Sequence, residues 1–180
     1  MVPTNILQRT FHIQYNGSTG TCFTIECDQR QYIVTAAHVV KGISPKDTIA
    51  LYHENDWKSL DITVVGIASP PADTAILAAD LQLSPTYSLG TDTANMILGQ
   101  DVYFLGFPYG LKINIEAHMN RGFPLPLVKK GIVSSMEFWP GTLEYLLLDG
   151  HNNPGFSGGP VFYTPPHTQN YKVAGVISGY

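Results

Sequence analysis

The sequence predicts an all-β fold, and three observations predict it. Short runs rich in β-branched and aromatic residues recur along the chain, turns bearing glycine and proline separate them, and no segment sustains the 3.6-residue apolar period of a helix. Many short, closely spaced strands build either a barrel or a sandwich, and composition alone does not choose between the two.

The first runs are residues 21–27 (TCFTIEC) and 31–35 (QYIVT), joined by the turn-like Asp28-Gln29-Arg30. Others follow at 48–53, 60–67, 74–78 and 102–105, then at 131–138, 143–148, 159–163 and 172–178. Asn16-Gly17, Pro70-Pro71, Pro140-Gly141 and Asn153-Pro154-Gly155 mark turns, because these residues supply conformations that a strand cannot hold. The one short helical stretch is 36–40, stopped by Gly42. Residues 81–95 are polar and turn-rich and link two halves, an N-terminal lobe over 1–94 and a C-terminal lobe over 95–180. Residues 107–127 hold Pro108, Gly110, Gly122, Pro124 and Pro126 and read as a long surface loop, a class that is usually functional or mobile.

The 180 residues suit one compact unit or two small lobes sharing a core. Hydrophobic residues make up 44% and charged residues 13%, which excludes a disordered chain. A net charge of −4 offers no basic face for nucleic acid, and no apolar run approaches the roughly 18 residues of a membrane span. Neither nucleic acid nor membrane is therefore expected as a partner. The N-terminal Met1-Val2-Pro3-Thr4-Asn5 lacks the charged and apolar regions of a cleaved signal peptide. The two cysteines, Cys22 and Cys27, read as reduced, partly buried thiols, the alternative being a cross-link over a hairpin or a metal pair, for which no further ligands stand nearby.

Three stretches carry chemistry. Thr35-Ala36-Ala37-His38 closes a strand, Asp73-Thr74-Ala75-Ile76-Leu77 enters one, and Gly155-Phe156-Ser157-Gly158-Gly159-Pro160 is a glycine-dense turn leading into another. A serine hydroxyl is a poor nucleophile near neutral pH and needs a base for its proton and donors for the oxyanion that follows. Glycines around Ser157 let the backbone turn tightly, so that the N–H groups of Gly155 and Ser157 can point at one spot. Imidazole both takes and returns a proton, which suits His38 as the base. A carboxylate must orient that ring and stabilise its charged form, and Asp73 is the candidate. Asp61 lies within a strand run and Asp80 follows an apolar one, so both are expected to face solvent.

These stretches, in this order, resemble the trypsin-like peptidase family. The details are most similar to its bacterial HtrA-like branch, echoed by Leu105-Gly106-Phe107-Pro108-Tyr109-Gly110, by Gly131-Ile132-Val133-Ser134 and by Asn153-Pro154-Gly155-Phe156-Ser157-Gly158-Gly159. The resemblance runs from about Gly20 to the C-terminus. It implies two packed antiparallel β-barrels with His38 and Asp73 on the first and Ser157 on the second. It also implies that Ser178 bonds Asp73 and, with Gly179, begins the strand that pairs with an extended substrate. His151 would lie at the floor of the pocket for the substrate side chain, either shaping a neutral or pH-sensitive pocket or pointing elsewhere as a loop residue. Tyr180 would line that pocket. His12, His53, His118 and His167 have no motif around them and read as surface or loop residues. Phe104, Tyr109, Phe138, Trp139 and Tyr145 read as packing, and Lys129-Lys130 as a solvated turn.

The chain also departs from the family pattern. Val39 stands where secreted members often carry a cysteine, and this favours a reducing, cytoplasmic location. No propeptide cleavage motif precedes Thr21, so activation by loop ordering is expected, with residues 107–127 as the switch. The second half holds five strand runs where a closed barrel needs six, so a further segment, domain or partner is expected to close it. The expected activity is that of a serine endopeptidase on protein or peptide substrates, without metal or organic cofactor, and falling on acidification as His38 is protonated. The alternative is a catalytically silent protease-fold module that binds peptides.

Overall fold

Alternation in six short strands closes the first half on itself. The computed structural model describes residues 2–87, 89–116, 118–139 and 142–179. The expected turn at Pro140-Gly141, the packing of Trp139 and the pocket role of Tyr180 lie outside the described residues and side chains. Strands β1 (Thr10–Tyr15), β2 (Ser18–Cys27), β3 (Arg30–Thr35), β4 (Lys46–His53), β5 (Asp56–Ile67) and β6 (Ala75–Ala78) form a closed antiparallel barrel in the order β1-β2-β3-β6-β5-β4. Phe11, Ile13 and Tyr15 on β1, Ile49 and Leu51 on β4, and Ala75 and Leu77 on β6 point inward at every second position and are buried. Closure comes from β1 meeting β4 at Ile13–Leu51 and Gln14–Ala50.

The second half is an open sheet. Strands β7 (Asp101–Gly106), β8 (Leu127–Trp139), β9 (Thr142–Asp149), β10 (Pro160–Tyr163) and β11 (Lys172–Val176) lie in the order β11-β10-β7-β8-β9. The expected five strands are all there, and the barrel they belong to is not closed. Its core gathers Val102, Phe104, Val133, Phe156, Val161 and Tyr163. Each such side chain, fully buried, contributes on the order of 1.5–3 kcal/mol.

The lobes are joined by packing on the outer faces of their sheets. Phe23 and Val34 of the barrel bury against Val173 of β11. A short helix, α1 (Thr4–Leu7), lies across to the second lobe, where Ile6 packs with Leu105 and Phe162. Helix α1 and strand β1 are additions to the sequence reading. The helix is one turn long and shows no period. In β1 both faces are buried, so the polar residues that should alternate outward do not.

Three expectations are corrected. His12 is no surface residue: it is 4% exposed and stacks on Phe107 at 4.9 Å and beside Trp57 at 4.8 Å. Lys129 and Lys130 sit in β8, not in a solvated turn. Residues 107–127 do not stand free as a surface loop but fold back onto the first barrel. Glu54 N–H donates to the Gly122 carbonyl at 2.8 Å, the His53 ring to the Arg121 carbonyl at 2.8 Å, and Arg121 to the Leu83 carbonyl at 3.2 Å. Phe123 packs edge-on against Phe11 at 4.7 Å and His53 at 4.5 Å. Ile113 and Leu125 exchange both main-chain hydrogen bonds at 3.0 Å, which ties the segment to itself. Gly122 has φ +84°, and a Cβ there would stand 2.5 Å from the His53 ring, so the close approach requires glycine.

Candidate active site

Register places the first two site residues side by side. Strands β3 and β6 are antiparallel neighbours with Thr35 opposite Ala75. His38 follows β3 by three residues and Asp73 precedes β6 by two, so both emerge at the same end of the barrel. His38 sits in a single 3-10 turn, Ala37–Val40. Asp73 holds that turn three times: one carboxylate oxygen accepts the His38 main-chain N–H at 2.9 Å, the other meets Nδ1 at 2.5 Å, and its carbonyl accepts Ala37 N–H at 3.3 Å. An ionised carboxylate only accepts, so Nδ1 carries the proton and Nε2 presents its lone pair. Asp61 instead takes the Thr48 hydroxyl at 2.8 Å on the barrel surface, and the Asp80 side chain is fully exposed.

Ser157 reaches this corner from the second lobe through its backbone. Its carbonyl accepts Thr21 N–H at 2.8 Å. Gly158 packs so tightly on the Thr21 carbonyl, the Thr35 hydroxyl and the Ala36 N–H that a Cβ would collide with all three. A Cβ on Gly20 would touch Val39, the neighbour of His38, at 2.8 Å and the Ser157 carbonyl at 3.0 Å. The serine turn therefore lies against the residues on either side of His38. The Ser157 hydroxyl makes no hydrogen bond to the His38 ring among the described contacts.

The turn is built to leave donors free. The N–H groups of Phe156, Gly158 and Gly159 are spent on the carbonyls of Asn153, Ile177 and Phe156 at 3.3, 2.7 and 2.8 Å. Those of Gly155 and Ser157 find no partner among the described residues. Gly155 has φ +103°, and a Cβ there would run into the Phe107 carbonyl. Outside the turn, Tyr109 N–H donates to the Pro154 carbonyl at 2.9 Å and the Thr21 hydroxyl to the Gly155 carbonyl at 2.7 Å.

The substrate-side residues are only partly as expected. Ser178 is exposed and makes no bond to Asp73; the carboxylate is already occupied by His38. Ile177 pairs with Gly158 and Gly159, while the main chain of the exposed Ser178 has no partner among the described residues. Asn152 donates to the Gly179 carbonyl at 2.9 Å, linking the two segments flanking the expected pocket. His151 is exposed, with its Nε2 3.1 Å from the Asn153 amide nitrogen. The sequence assigned no role to the hydroxyls of Thr21 and Thr35, both fully buried; Thr35 donates to the Thr21 carbonyl at 2.8 Å. Their only signal was a polar residue at a buried strand position. Among the described residues no group of three His, Cys, Asp or Glu side chains could hold a metal, and no helix is long and apolar enough to cross a membrane.

Residues 20–164 match the trypsin-like peptidase domain family. A probable periplasmic serine endoprotease, DegP-like, from Halomonas elongata is 33% identical over 155 residues, covering 84% of this chain and 28% of that protein. One of the same description from Pseudomonas putida is 31% identical over 164 residues, 89% of this chain and 29% of that protein. The chain thus spans less than a third of the length of these relatives. Among solved structures, a serine endoprotease from Yersinia pestis superposes with a TM-score of 0.66 at 20% identity, over 99% of this chain and 58% of that one. The superposition shows the fold alone, the double-barrel plan with its second barrel here half formed. The cytoplasmic location expected from the cysteines is overturned by these relatives, which are periplasmic by name. The cysteines held no information on compartment: both are free, Cys22 buried and Cys27 exposed at opposite ends of one strand segment.

Proposed function

Because this chain belongs to the trypsin-like peptidase domain family, we propose that it is a serine endopeptidase domain in which His38, Asp73 and Ser157 act as a triad. The observation that carries the reading is the His38–Asp73 pair beside a glycine turn whose Gly155 and Ser157 N–H groups are uncommitted. Ser157 Oγ attacks the carbonyl carbon of the scissile peptide while His38 Nε2 takes its proton. The two free N–H groups hold the developing oxyanion. His38 returns the proton to the leaving amine as the C–N bond breaks, leaving an acyl-enzyme that water hydrolyses with the same base. Asp73 keeps Nδ1 protonated and offsets the charge on the ring. The hydroxyl–imidazole bond tightens once substrate fills the cleft.

The substrate is a protein segment in extended form, which pairs with the main chain of the exposed Ser178 and Gly179 as an added strand. A strand from a longer protein or from a partner closes the second sheet between β9 and β11. The domain works outside the cytoplasm, as its periplasmic relatives do by name.

A fluorophosphonate probe tests the reading. Stoichiometric labelling of the wild-type chain at Ser157, absent in Ser157→Ala, is the expected result, together with casein cleavage lost in the same variant. A folded chain that takes no label is a peptide-binding module and not a peptidase.

A further inference from the structure

Lys129 is half-buried, unlike its exposed neighbour Lys130. In β8 it stands opposite Phe104 of β7, whose side chain lies in the interior of the second lobe. Lys130, one residue on, points the other way and pairs with Asp101 at 2.8 Å, as strand alternation requires. The stem of Lys129 runs inward, and its ammonium emerges beneath the turn that ends in Ser157.

There it makes three contacts. It donates to the His151 carbonyl at 2.7 Å and to the Asn153 side-chain oxygen, and it lies 5.0 Å from the centre of the Phe156 ring. Phe156 is fully buried, edge-on to Phe104 at 5.2 Å, and stands between Gly155 and Ser157, the two residues with uncommitted N–H groups. An ammonium has three donors and accepts nothing, so the oxygen of the Asn153 amide must face Lys129. The amide nitrogen is thereby turned toward His151 Nε2 at 3.1 Å and the Tyr109 hydroxyl at 3.4 Å. One cation thus sets the position of the first, third and sixth residues of the segment 151–156. No other Lys or Arg side chain contacts this segment among the described interactions.

We propose that Lys129 is a positioning residue for the oxyanion turn, the half-buried cation that holds the segment 151–156 so that Gly155 and Ser157 N–H converge. It touches no reacting atom and acts through Asn153, the His151 carbonyl and Phe156. The inference rests on the peptidase reading above for its effect on rate, and on the contacts alone for its effect on the turn.

Lys129→Met keeps the length and apolar stem and removes the charge and donors; Lys129→Arg keeps both. A displacement of about 1 Å at a catalytic group costs on the order of 100-fold. For Lys129→Met, kcat on casein-derived peptides therefore falls about 100-fold with KM within about threefold. Hydrogen exchange of the 151–157 amides rises, while exchange in β1 to β6 is unchanged. Lys129→Arg recovers at least about tenfold of the lost kcat. If the Met chain does not unfold cooperatively, Lys129→Gln replaces it with the same expectations. Retention of kcat within threefold, or a loss carried by KM alone, overturns the proposal. So does unchanged exchange at 151–157. If the wild-type chain takes no fluorophosphonate, the peptidase reading fails by itself, and the exchange measurement still decides whether Lys129 holds the turn.

Discussion

The two lobes place their site residues by different means. In the closed barrel, His38 and Asp73 meet because β3 and β6 share a register, Thr35 opposite Ala75, and two short connections leave the same rim. In the open sheet, Ser157 sits on a turn just beyond the β10–β11 ladder, where Ile177 bonds to Gly158 and Gly159. Its place comes from contacts across the lobes, with Thr21 N–H on the Ser157 carbonyl and the Thr21 hydroxyl on the Gly155 carbonyl, and from Lys129 beneath. Register along one ladder brings the base and its carboxylate together; main-chain bonds across the lobes, with the tight packing of Gly158, secure the nucleophile. Substitutions in the base pair should therefore alter chemistry and spare the fold, while substitutions at the joint should alter both.

The largest effect is expected at the pair itself. Asp73→Asn leaves the backbone register intact but no longer enforces the Nδ1-protonated ring, and kcat should fall about 10⁴-fold with little change in melting temperature. Steady-state cleavage of a peptide substrate measures this. A variant within tenfold of wild type would mean that register brings together two residues that do not act together.

Next in size is the joint. Gly158 combines φ +84° with backbone atoms crowding the place of a Cβ. A positive φ costs a non-glycine residue about 1–2 kcal/mol, and overpacking adds about 1–3 kcal/mol. Gly158→Ala should therefore lose about 4 kcal/mol, or roughly 10 °C in melting temperature for a chain of this size. Gly175, on β11, has open space where a Cβ would go. Gly175→Ala should be neutral or slightly stabilising in the same thermal melts, since it removes only unfolded-state freedom. Equal losses at the two positions would erase the distinction between joint and open sheet.

Both lobes were visible in the sequence to different depths. Ten of the strands among the described residues follow from β-branched runs between turn residues, and the five of the second lobe were countable. Strand β1 was not legible, because Thr10 and His12 are buried on its second face and no polar alternation marks it. His38, Asp73 and Ser157 stood out because glycine and strand-end context is local. Lys129 did not, because two adjacent lysines on a strand face opposite ways, and only tertiary packing says which one turns inward. For the same reason residues 107–127 were legible as a loop from their prolines and glycines, while their docking through Phe123 and Arg121 was not.

His12 tests the joint by acid. Its ring is buried between Trp57 of β5 and Phe107 at the root of the docked segment, and neither ring nitrogen has a partner. Burial, reinforced by the nearby Lys112 ammonium, pushes its pKa down from 6.5 to about 4. The folded chain therefore refuses a proton that the unfolded chain takes up between those two values. Stability from this site is complete above pH 6.5 and is lost as pH falls toward 4, by about 3 kcal/mol in all. Unfolding free energies from urea titrations at pH 7 and pH 4.5 should differ by between about 2 and 3 kcal/mol more in wild type than in His12→Phe, which keeps the stacking and cannot be protonated. Because His12 bridges the first barrel and the segment leading to Tyr109 and Pro154, the loss should appear first as hydrogen exchange at 107–124. Equal pH slopes in the two chains would show that the ring finds a proton acceptor in the folded state, and that acid does not act at the joint.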